Sequence, residues 1–185
     1  MPSTPDPGPS RCLFGVPDES ALAKIAATLV TVLPDHACIT LEGDLGAGKT
    51  TFVKAIAAAI GIEPAEVVSP TFGLIHIHDG PARARGGLPV RIVHADMYRL
   101  SGDAELRETG WEDAIAGQPG KRIWTFLEWP SRIAAVLPAD RLDIAFHIDS
   151  ETARTLEFSS PAAAYRHVIA ALAERAPPVP PRSHS

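Results

Sequence analysis

The chain has 185 residues, of which 45% are hydrophobic and 21% are charged, and its formal net charge at pH 7 is −5. This length suits one domain with a sizeable core and leaves little room for a second. The acidic balance disfavours a broad basic face that grips nucleic acid unaided. Two cysteines suggest no disulfide framework. The sequence shows neither a signal-peptide pattern nor an apolar run near the ~20 residues of a membrane span, so we expect a cytoplasmic protein without membrane contact.

Composition divides the chain into one domain with two short ends. Residues 1–10 are rich in proline and serine and are predicted to be disordered. Residues 176–185 form a second proline-rich segment, which is predicted to be a disordered tail. Residues 11–175 are predicted to form the single folded domain.

The first elements follow from apolar spacing and from capping residues. Arg11–Val16 predicts a short strand. Asp18 is the predicted N-cap of a helix that ends near Pro34. The apolar run Ala37–Leu41 predicts the next strand, and the alanine-rich segment Lys49–Ile60 predicts the helix that follows it.

The loop between this strand and helix matches the pattern G-x-x-x-x-G-K-S/T from Gly43 to Thr50 without a gap. Glycines at 43 and 48 let the backbone adopt positive φ, so that successive N–H groups form an anion-binding nest. Lys49 can reach the β- and γ-phosphates, and the Thr50 hydroxyl can ligate Mg²⁺. The loop therefore predicts nucleoside triphosphate binding. The predicted binding residues are Asp44, Leu45, Gly46, Ala47, Gly48, Lys49, Thr50 and Thr51.

The second half of the chain alternates between strands and short helices. Residues 73–78 and 89–95 predict an antiparallel pair joined by a loop at Asp79–Leu88. Two short helical pieces, broken at Gly110, are predicted between 101 and 116. The apolar run Arg122–Leu127 predicts a strand buried on both faces.

The last part of the chain predicts a helical turn, a β-pair and a final helix. A helical turn is expected over Ser131–Leu137. Leu142–Ile148 and Ala153–Phe158 predict a terminal β-pair, and Tyr165–Glu174 predicts the last helix.

A phosphate loop with Mg²⁺ needs a carboxylate, which in such folds comes from the carboxyl end of a neighbouring strand. Glu128 follows one apolar run and Asp96 ends another, and Glu128 has the clearer strand context. The alternative for each is a surface carboxylate at a strand end. Thr71, about 20 residues after the loop, offers a hydroxyl that could sense the γ-phosphate, and its alternative is an ordinary turn into a strand.

Histidines invite other interpretations of the same region. His94 can bind or orient phosphate, or it can be a satisfied, partly buried side chain. His76 and His78 together with His94 suggest zinc, but no cysteine or carboxylate accompanies them at ligand spacing. We therefore expect no metal other than Mg²⁺. Asparagine is absent from the chain, which removes the usual guanine-reading Asn-Lys-x-Asp element and favours ATP.

Four motifs, in this order and spacing, resemble the TsaE (YjeE) family of bacterial ATPases of tRNA threonylcarbamoyladenosine synthesis. They are the loop from Gly43 to Phe52, Ser69-Pro70-Thr71-Phe72, His94-x-Asp96-x-Tyr98-Arg99-Leu100 and Glu128-Trp129-Pro130. The resemblance covers residues 16–158.

Several expectations follow from the resemblance alone. It implies a three-layer α/β/α P-loop nucleotide-binding domain with a mixed parallel and antiparallel sheet. It implies that Thr50, Glu128 and Asp96 surround Mg²⁺, that Thr71 lies in a nucleotide-sensing switch, and that Glu19 and Arg154 lie near the base. ATP hydrolysis would then support the partner proteins TsaD and TsaB, and tRNA would be contacted indirectly through that complex.

Two other functions fit the same loop. One is a small-molecule kinase whose basic segment around Arg83, Arg85 and Arg91 closes as a lid over the transferred phosphate. The other is a nucleotide-dependent switch with negligible turnover. The accessory ATPase and the kinase differ in whether phosphate passes to water or to an added acceptor.

Overall fold

The structure, a computed structural model, describes residues 11–70, 74–81, 87–100, 105–106 and 109–175. The strands are Arg11–Val16 (β1), His36–Glu42 (β2), Ile75–Gly80 (β3), Val90–Asp96 (β4), Arg122–Glu128 (β5), Leu142–Ile148 (β6) and Arg154–Ser159 (β7). The helices are Glu19–Val32 (α1), Lys49–Ala59 (α2), Trp111–Ile115 (α3) and Arg166–Arg175 (α4). Short 3₁₀ segments lie at Pro64–Glu66, Pro130–Val136 and Ala163–Tyr165.

The seven strands form one sheet in the order β1-β7-β6-β2-β5-β4-β3. The four central strands, β6, β2, β5 and β4, are parallel to one another. The strands at both sides, β3, β7 and β1, pair antiparallel to their neighbours. The mixed parallel and antiparallel sheet that the resemblance implied is confirmed.

Helices cover the two faces of this sheet unequally. Alternate residues of the central strands, such as Trp124 and Phe126 of β5, face α1, α2 and α4 and form the larger core. The opposite face carries Leu127 and Ala95, which pack with Met97 and Ile133 in a smaller cluster. The second layer is therefore made of short segments, α3 and the 3₁₀ turn after β5.

The capping residues confirm two helix boundaries. The Asp18 side chain accepts a hydrogen bond of 2.8 Å from the backbone N–H of Ala21 and caps α1. Helix α1 ends at Val32, two residues before Pro34. Gly61 follows α2 with φ +86°, the left-handed conformation expected of a C′ glycine.

The antiparallel β3–β4 pair is confirmed, but the loop predicted over residues 79–88 was placed too early. Asp79 and Gly80 still belong to β3, where they pair with Arg91 and Val90. The Arg91 guanidinium donates to both Asp79 carboxylate oxygens, at 2.9 and 2.8 Å, and holds the strand ends together. This cross-strand pair extends the ladder where composition favoured a turn.

Several predictions fall on residues outside the described ranges. They concern the two ends, 1–10 and 176–185, the residues Arg83 and Arg85, part of the helical segment 101–108, and Thr71. Within the described part, Gly110 has φ +74° and directly precedes α3, as the predicted break there requires. No helix among the described residues is long and apolar enough to cross a membrane.

Trp124 gives a test of how the sheet is tied to the helical layer. Its fully buried indole donates a 2.9 Å hydrogen bond to the carbonyl of Pro34, between α1 and β2. We expect Trp124→Phe to lower the free energy of unfolding by about 1–2 kcal/mol, because the Pro34 carbonyl loses its donor. Urea unfolding measures this loss. An equal loss in Trp111→Phe, which removes an indole from the other face, would contradict the assigned role of the hydrogen bond.

Candidate nucleotide-binding site

The glycine-rich loop lies at the edge of the sheet where the parallel strands have their carboxyl ends. β2 ends at Glu42 and α2 begins at Lys49, so residues 43–48 connect a central strand directly to a helix N-terminus. Gly43, Gly46 and Gly48 have φ of +152°, +79° and +101°. These conformations favour glycine, and they turn the backbone as the predicted anion-binding nest requires.

The first glycine of the loop is also fixed by packing. A Cβ atom at Gly43 would lie 2.9 Å from both the Cβ and the carbonyl oxygen of Phe146 in β6. Real Cβ atoms essentially never come this close to another atom, and one of the two atoms is a backbone oxygen, so the loop or the strand would have to shift. The loop therefore begins in close contact with the strand beside β2.

Lys49 folds back over the loop. Its Nζ donates to the carbonyls of Gly43 and Asp44, at 2.7 and 2.9 Å, and lies 4.1 Å from the centroid of the Trp129 ring. Burial lowers the pKa of Lys49, against the raising effect of nearby carboxylates, of which Glu128 is the strongest. The ammonium is thus held beside the nest, where an incoming phosphate would offer it new partners.

Glu128 connects the loop helix to the sheet. Its Oε1 lies 2.8 Å from the Thr50 hydroxyl, at the start of α2, and 2.8 Å from Nε2 of His94 in β4. Glu128 is 3% exposed and His94 is fully buried. The Thr50 hydroxyl donates to this oxygen, and His94 donates to it in the tautomer that carries its proton on Nε2. Both donors fix the carboxylate at the end of β5.

Asp96 lies beside Glu128 in the register of β4 and β5. Its Oδ1 accepts from the backbone N–H of Tyr98 at 2.9 Å, and its Oδ2 accepts from the Ser69 hydroxyl at 3.2 Å. The segment that contains Ser69 therefore does reach the site. Thr71, two residues further on, lies outside the described residues.

The oxygen atoms gathered here fit a hard divalent cation. Thr50 supplies a hydroxyl, and Glu128 and Asp96 supply carboxylates, which are the ligand types that Mg²⁺ prefers.

In the described ranges, no group of three or more His, Cys, Asp or Glu side chains is arranged to hold a metal ion. The three histidines that suggested zinc lie on β3 and β4. His76 pairs with His94 in the register of these strands, and the centroid of its ring lies 6.3 Å from that of the His78 ring.

Two cavities lie on either side of the loop. One, of about 370 Å³, lies toward α1 and β7, and the other, of about 420 Å³, lies toward β4 and β5. Both include Gly46, Gly48 and Thr51 in their walls. The second cavity is also lined by Lys49, Thr50, Ser69, Asp96, Tyr98, Glu128 and Trp129. A ligand that lies across the loop therefore has space on both sides.

The cavity toward α1 contains the two residues that the resemblance placed near the base. Glu19, the first residue of α1, and Arg154, the first of β7, both contribute to its wall. Apolar side chains of Val16 and Leu22 line it as well. The carboxyl edge thus brings together every predicted site residue that the structure describes.

Three features of the site had no signal in the sequence. They are the His94 hydrogen bond to Glu128, the contact of Gly43 with Phe146, and the hydrogen bonds of Arg154 to the loop. Each depends on which strands are neighbours in the sheet. The spacing of residues along the chain does not reveal that order.

The fold and the site define an α/β protein whose mixed sheet carries a glycine-rich loop and buried carboxylates at one edge. The family model described as threonylcarbamoyl adenosine biosynthesis protein TsaE matches residues 16–156. The chain belongs to the TsaE family.

Relatives and a solved structure agree with this membership. The chain is 35% identical to the tRNA threonylcarbamoyladenosine biosynthesis protein TsaE of Bacillus subtilis, over 78% of this chain and 81% of that protein. It is 30% identical to the protein of the same name from Rickettsia bellii, over 68% and 79% of the two chains. The crystal structure of Bacillus subtilis YdiB superposes with a TM-score of 0.65 at 25% identity, covering 89% of this chain and 95% of that one.

Gly43→Ala tests the packing of the loop against β6. We expect it to lower the melting temperature and to weaken ATP binding at least about tenfold, because the new methyl group forces the loop away from Phe146. Gly120→Ala is the matched control, since Gly120 has φ +78° but open space around its Cβ position. Thermal unfolding and calorimetric titration with ATP measure both effects. Equal behaviour of the two variants would show that backbone strain, rather than the clash, decides the result.

His94 tests how the Glu128 carboxylate is held. We expect His94→Leu to raise the Mg²⁺ concentration for half-maximal ATP turnover about tenfold, because Glu128 loses a donor that orients it. His94→Gln retains a side-chain N–H and should have a smaller effect. A Mg²⁺ titration of ATP hydrolysis compares the variants. An unchanged Mg²⁺ requirement in His94→Leu would contradict this role.

Proposed function

We propose that this protein is a Mg²⁺-dependent ATPase that acts as an accessory in tRNA threonylcarbamoyladenosine synthesis. The observation that carries the proposal is the hydrogen bond between Thr50 and Glu128, directly behind the glycine-rich loop. It joins a hydroxyl at a helix N-terminus to a buried carboxylate at a strand end, the pair that holds Mg²⁺ in P-loop proteins. Family membership supports the pathway.

The loop would hold the triphosphate. Backbone N–H groups of the loop and of the first turn of α2 would bind the phosphate oxygens, and the positive end of the α2 dipole would add to their field. Lys49 exchanges the carbonyls of Gly43 and Asp44 for the β- and γ-phosphate oxygens. The adenosine part fits the cavity of about 370 Å³, where Glu19 and Arg154 contribute to the wall.

Thr50 and Glu128 would hold Mg²⁺, with Asp96 as a second carboxylate beside them. When bound, the ion neutralises charge that develops on the β- and γ-phosphate oxygens. His94 holds the Glu128 carboxylate in place. Ser69 and Thr71 belong to the segment that would respond to the γ-phosphate, and Ser69 is already hydrogen-bonded to Asp96.

The cavity of about 420 Å³, where the β- and γ-phosphates would lie, has little positive charge of its own, which supports a need for a partner protein in hydrolysis. Lys49 is the single cation among the described residues that line it. Phosphoryl transfer is commonly accelerated by a second cation, which can come from another protein. We infer a low intrinsic rate that rises when TsaD and TsaB complete the site, in the cytoplasm. Because the chain is acidic, tRNA would be bound by those partners.

The kinase alternative finds less support. Arg91, one of the three arginines of the hypothesised lid, donates both of its hydrogen bonds to Asp79 within the β3–β4 pair. A side chain engaged in this way stabilises the sheet edge and does not reach toward a transferred phosphate. A non-catalytic switch would bind ATP at the same loop, so turnover decides between these functions.

The test measures phosphate release from ATP by the purified protein, alone and with TsaB, TsaD and tRNA. We expect a low rate alone and strong stimulation by the complete set. Lys49→Ala should abolish ATP binding, whereas Glu128→Ala should spare most of the binding and lower hydrolysis at least about tenfold, because the carboxylate acts through the metal.

Three outcomes would contradict the proposal in different ways. Wild-type turnover by Glu128→Ala would remove the assigned metal role and make Asp96 the next candidate. A rate that ignores the partners but rises with an added small acceptor would favour a kinase. Tight ATP binding without turnover under any of these conditions would favour a switch.

A further inference from the structure

The turn between β6 and β7 lies beside the glycine-rich loop. β6 runs parallel to β2, so both strands end at the same edge of the sheet. The loop 43–48 follows β2 and the turn 149–153 follows β6 at this edge. Arg154, the residue after the turn, reaches from one segment to the other.

The Arg154 guanidinium donates to two carbonyls of the loop. Its Nε lies 3.2 Å from the carbonyl oxygen of Ala47, and its Nη2 lies 3.2 Å from that of Gly46. In an anion-binding nest the N–H groups face the anion, and neighbouring carbonyls have to point elsewhere. Arg154 supplies the donors that keep these two carbonyls turned outward.

The same guanidinium is anchored to its own turn. Its Nη1 lies 2.7 Å from the carbonyl oxygen of Ser150 and 2.9 Å from that of Ala153. The turn is ordered in its own right, because the Ser150 hydroxyl accepts from the backbone N–H of Ala153 at 3.1 Å. The Thr155 hydroxyl also donates to Asp149 at 2.7 Å. The loop is therefore tied to a fixed point on the sheet.

We propose that Arg154 is a positioning residue that braces the phosphate-binding loop through the carbonyls of Gly46 and Ala47. Through these contacts it supports binding of the phosphates of any nucleotide and does not select the base. This inference rests on the proposed nucleotide binding. It assigns Arg154 a different role from the contact with the base that the resemblance implies.

The chemistry of the contacts explains why an arginine stands here. A planar guanidinium directs Nε and Nη2 toward two adjacent carbonyls while Nη1 serves a second segment. A lysine ammonium keeps the charge but cannot serve both segments in this fixed geometry. Arg154→Lys therefore separates the effect of the brace from the effect of a positive charge near the loop.

The experiment compares the affinities for ATP, GTP and inorganic tripolyphosphate by calorimetry. We expect Arg154→Ala to weaken binding of all three by a similar factor of about ten, and Arg154→Lys to weaken it nearly as much. Lys24→Ala is the matched control, because it removes one positive charge from the exposed side of α1 and should leave the three affinities unchanged. Lys24 is exposed and lines neither of the two cavities beside the loop.

Amide hydrogen exchange of the unliganded protein supplies a second readout. Arg154→Ala should raise exchange at Ala47 and Phe52, whose amides donate to the loop carbonyls of Asp44 and Gly48, and leave the central strands as protected as in the wild type. A general structural role would raise exchange throughout the domain. That result would overturn the assignment.

The comparison of ATP, GTP and tripolyphosphate affinities also has outcomes that would overturn the proposal. If Arg154→Ala weakens ATP binding and leaves tripolyphosphate binding unchanged, Arg154 contacts the nucleoside and the brace is overturned. If all affinities stay unchanged, the brace has no role in binding. If the wild-type protein binds none of the three ligands, the proposed function itself fails, and the brace fails with it. Equal weakening of all three ligands together with local exchange at the loop supports the brace.

Discussion

One buried carboxylate connects the two halves of the site. Glu128 accepts from Thr50 at the start of α2 and from His94 in β4, both through the same oxygen. Leaving either donor or the carboxylate unpaired at this depth would cost free energy, so the three groups are fixed together. These hydrogen bonds tie the first turn of α2 to the ends of β5 and β4, while buried side chains such as Phe52 and Ile56 hold the rest of the helix on the sheet.

The parallel register of the central strands delivers that carboxylate to the loop. Leu41 of β2 pairs with Glu128 of β5, and Glu128 pairs with Asp96 of β4. Since all three strands run in the same direction, their last residues lie in one row at the carboxyl edge. The loop begins two residues after Leu41, so the carboxylates and the nest necessarily lie side by side. A shift of one residue in β5 would turn Glu128 to the opposite face.

Local pattern was sufficient to predict much of this arrangement. Some features can be recognised from residues that are close in the sequence, and the structure places them as expected. They are the glycines of the loop, the α1 cap at Asp18 and the two carboxylates at strand ends. The sequence leaves the role of His94 open, because its spacing fits both a core histidine and a ligand. Its partner became evident only with the order of β5 and β4. The end of β3 was misplaced for a similar reason, since a cross-strand ion pair outweighed a turn-like composition.

Lys49 and Arg154 both donate hydrogen bonds to carbonyls of the glycine-rich loop, but a bound phosphate would compete for only one of them. Lys49 donates to the carbonyls of Gly43 and Asp44 at the start of the loop, whereas Arg154 donates to those of Gly46 and Ala47 from the neighbouring β6–β7 turn. A bound triphosphate competes for the first cation because its oxygens are stronger acceptors than carbonyls. The triphosphate does not compete for the second cation, Arg154, so the hydrogen bonds of Arg154 to the loop carbonyls would remain. On the proposed function, binding would release one end of the loop while the other end stays fixed to the sheet, so that the nest would keep its shape as Lys49 changes partners.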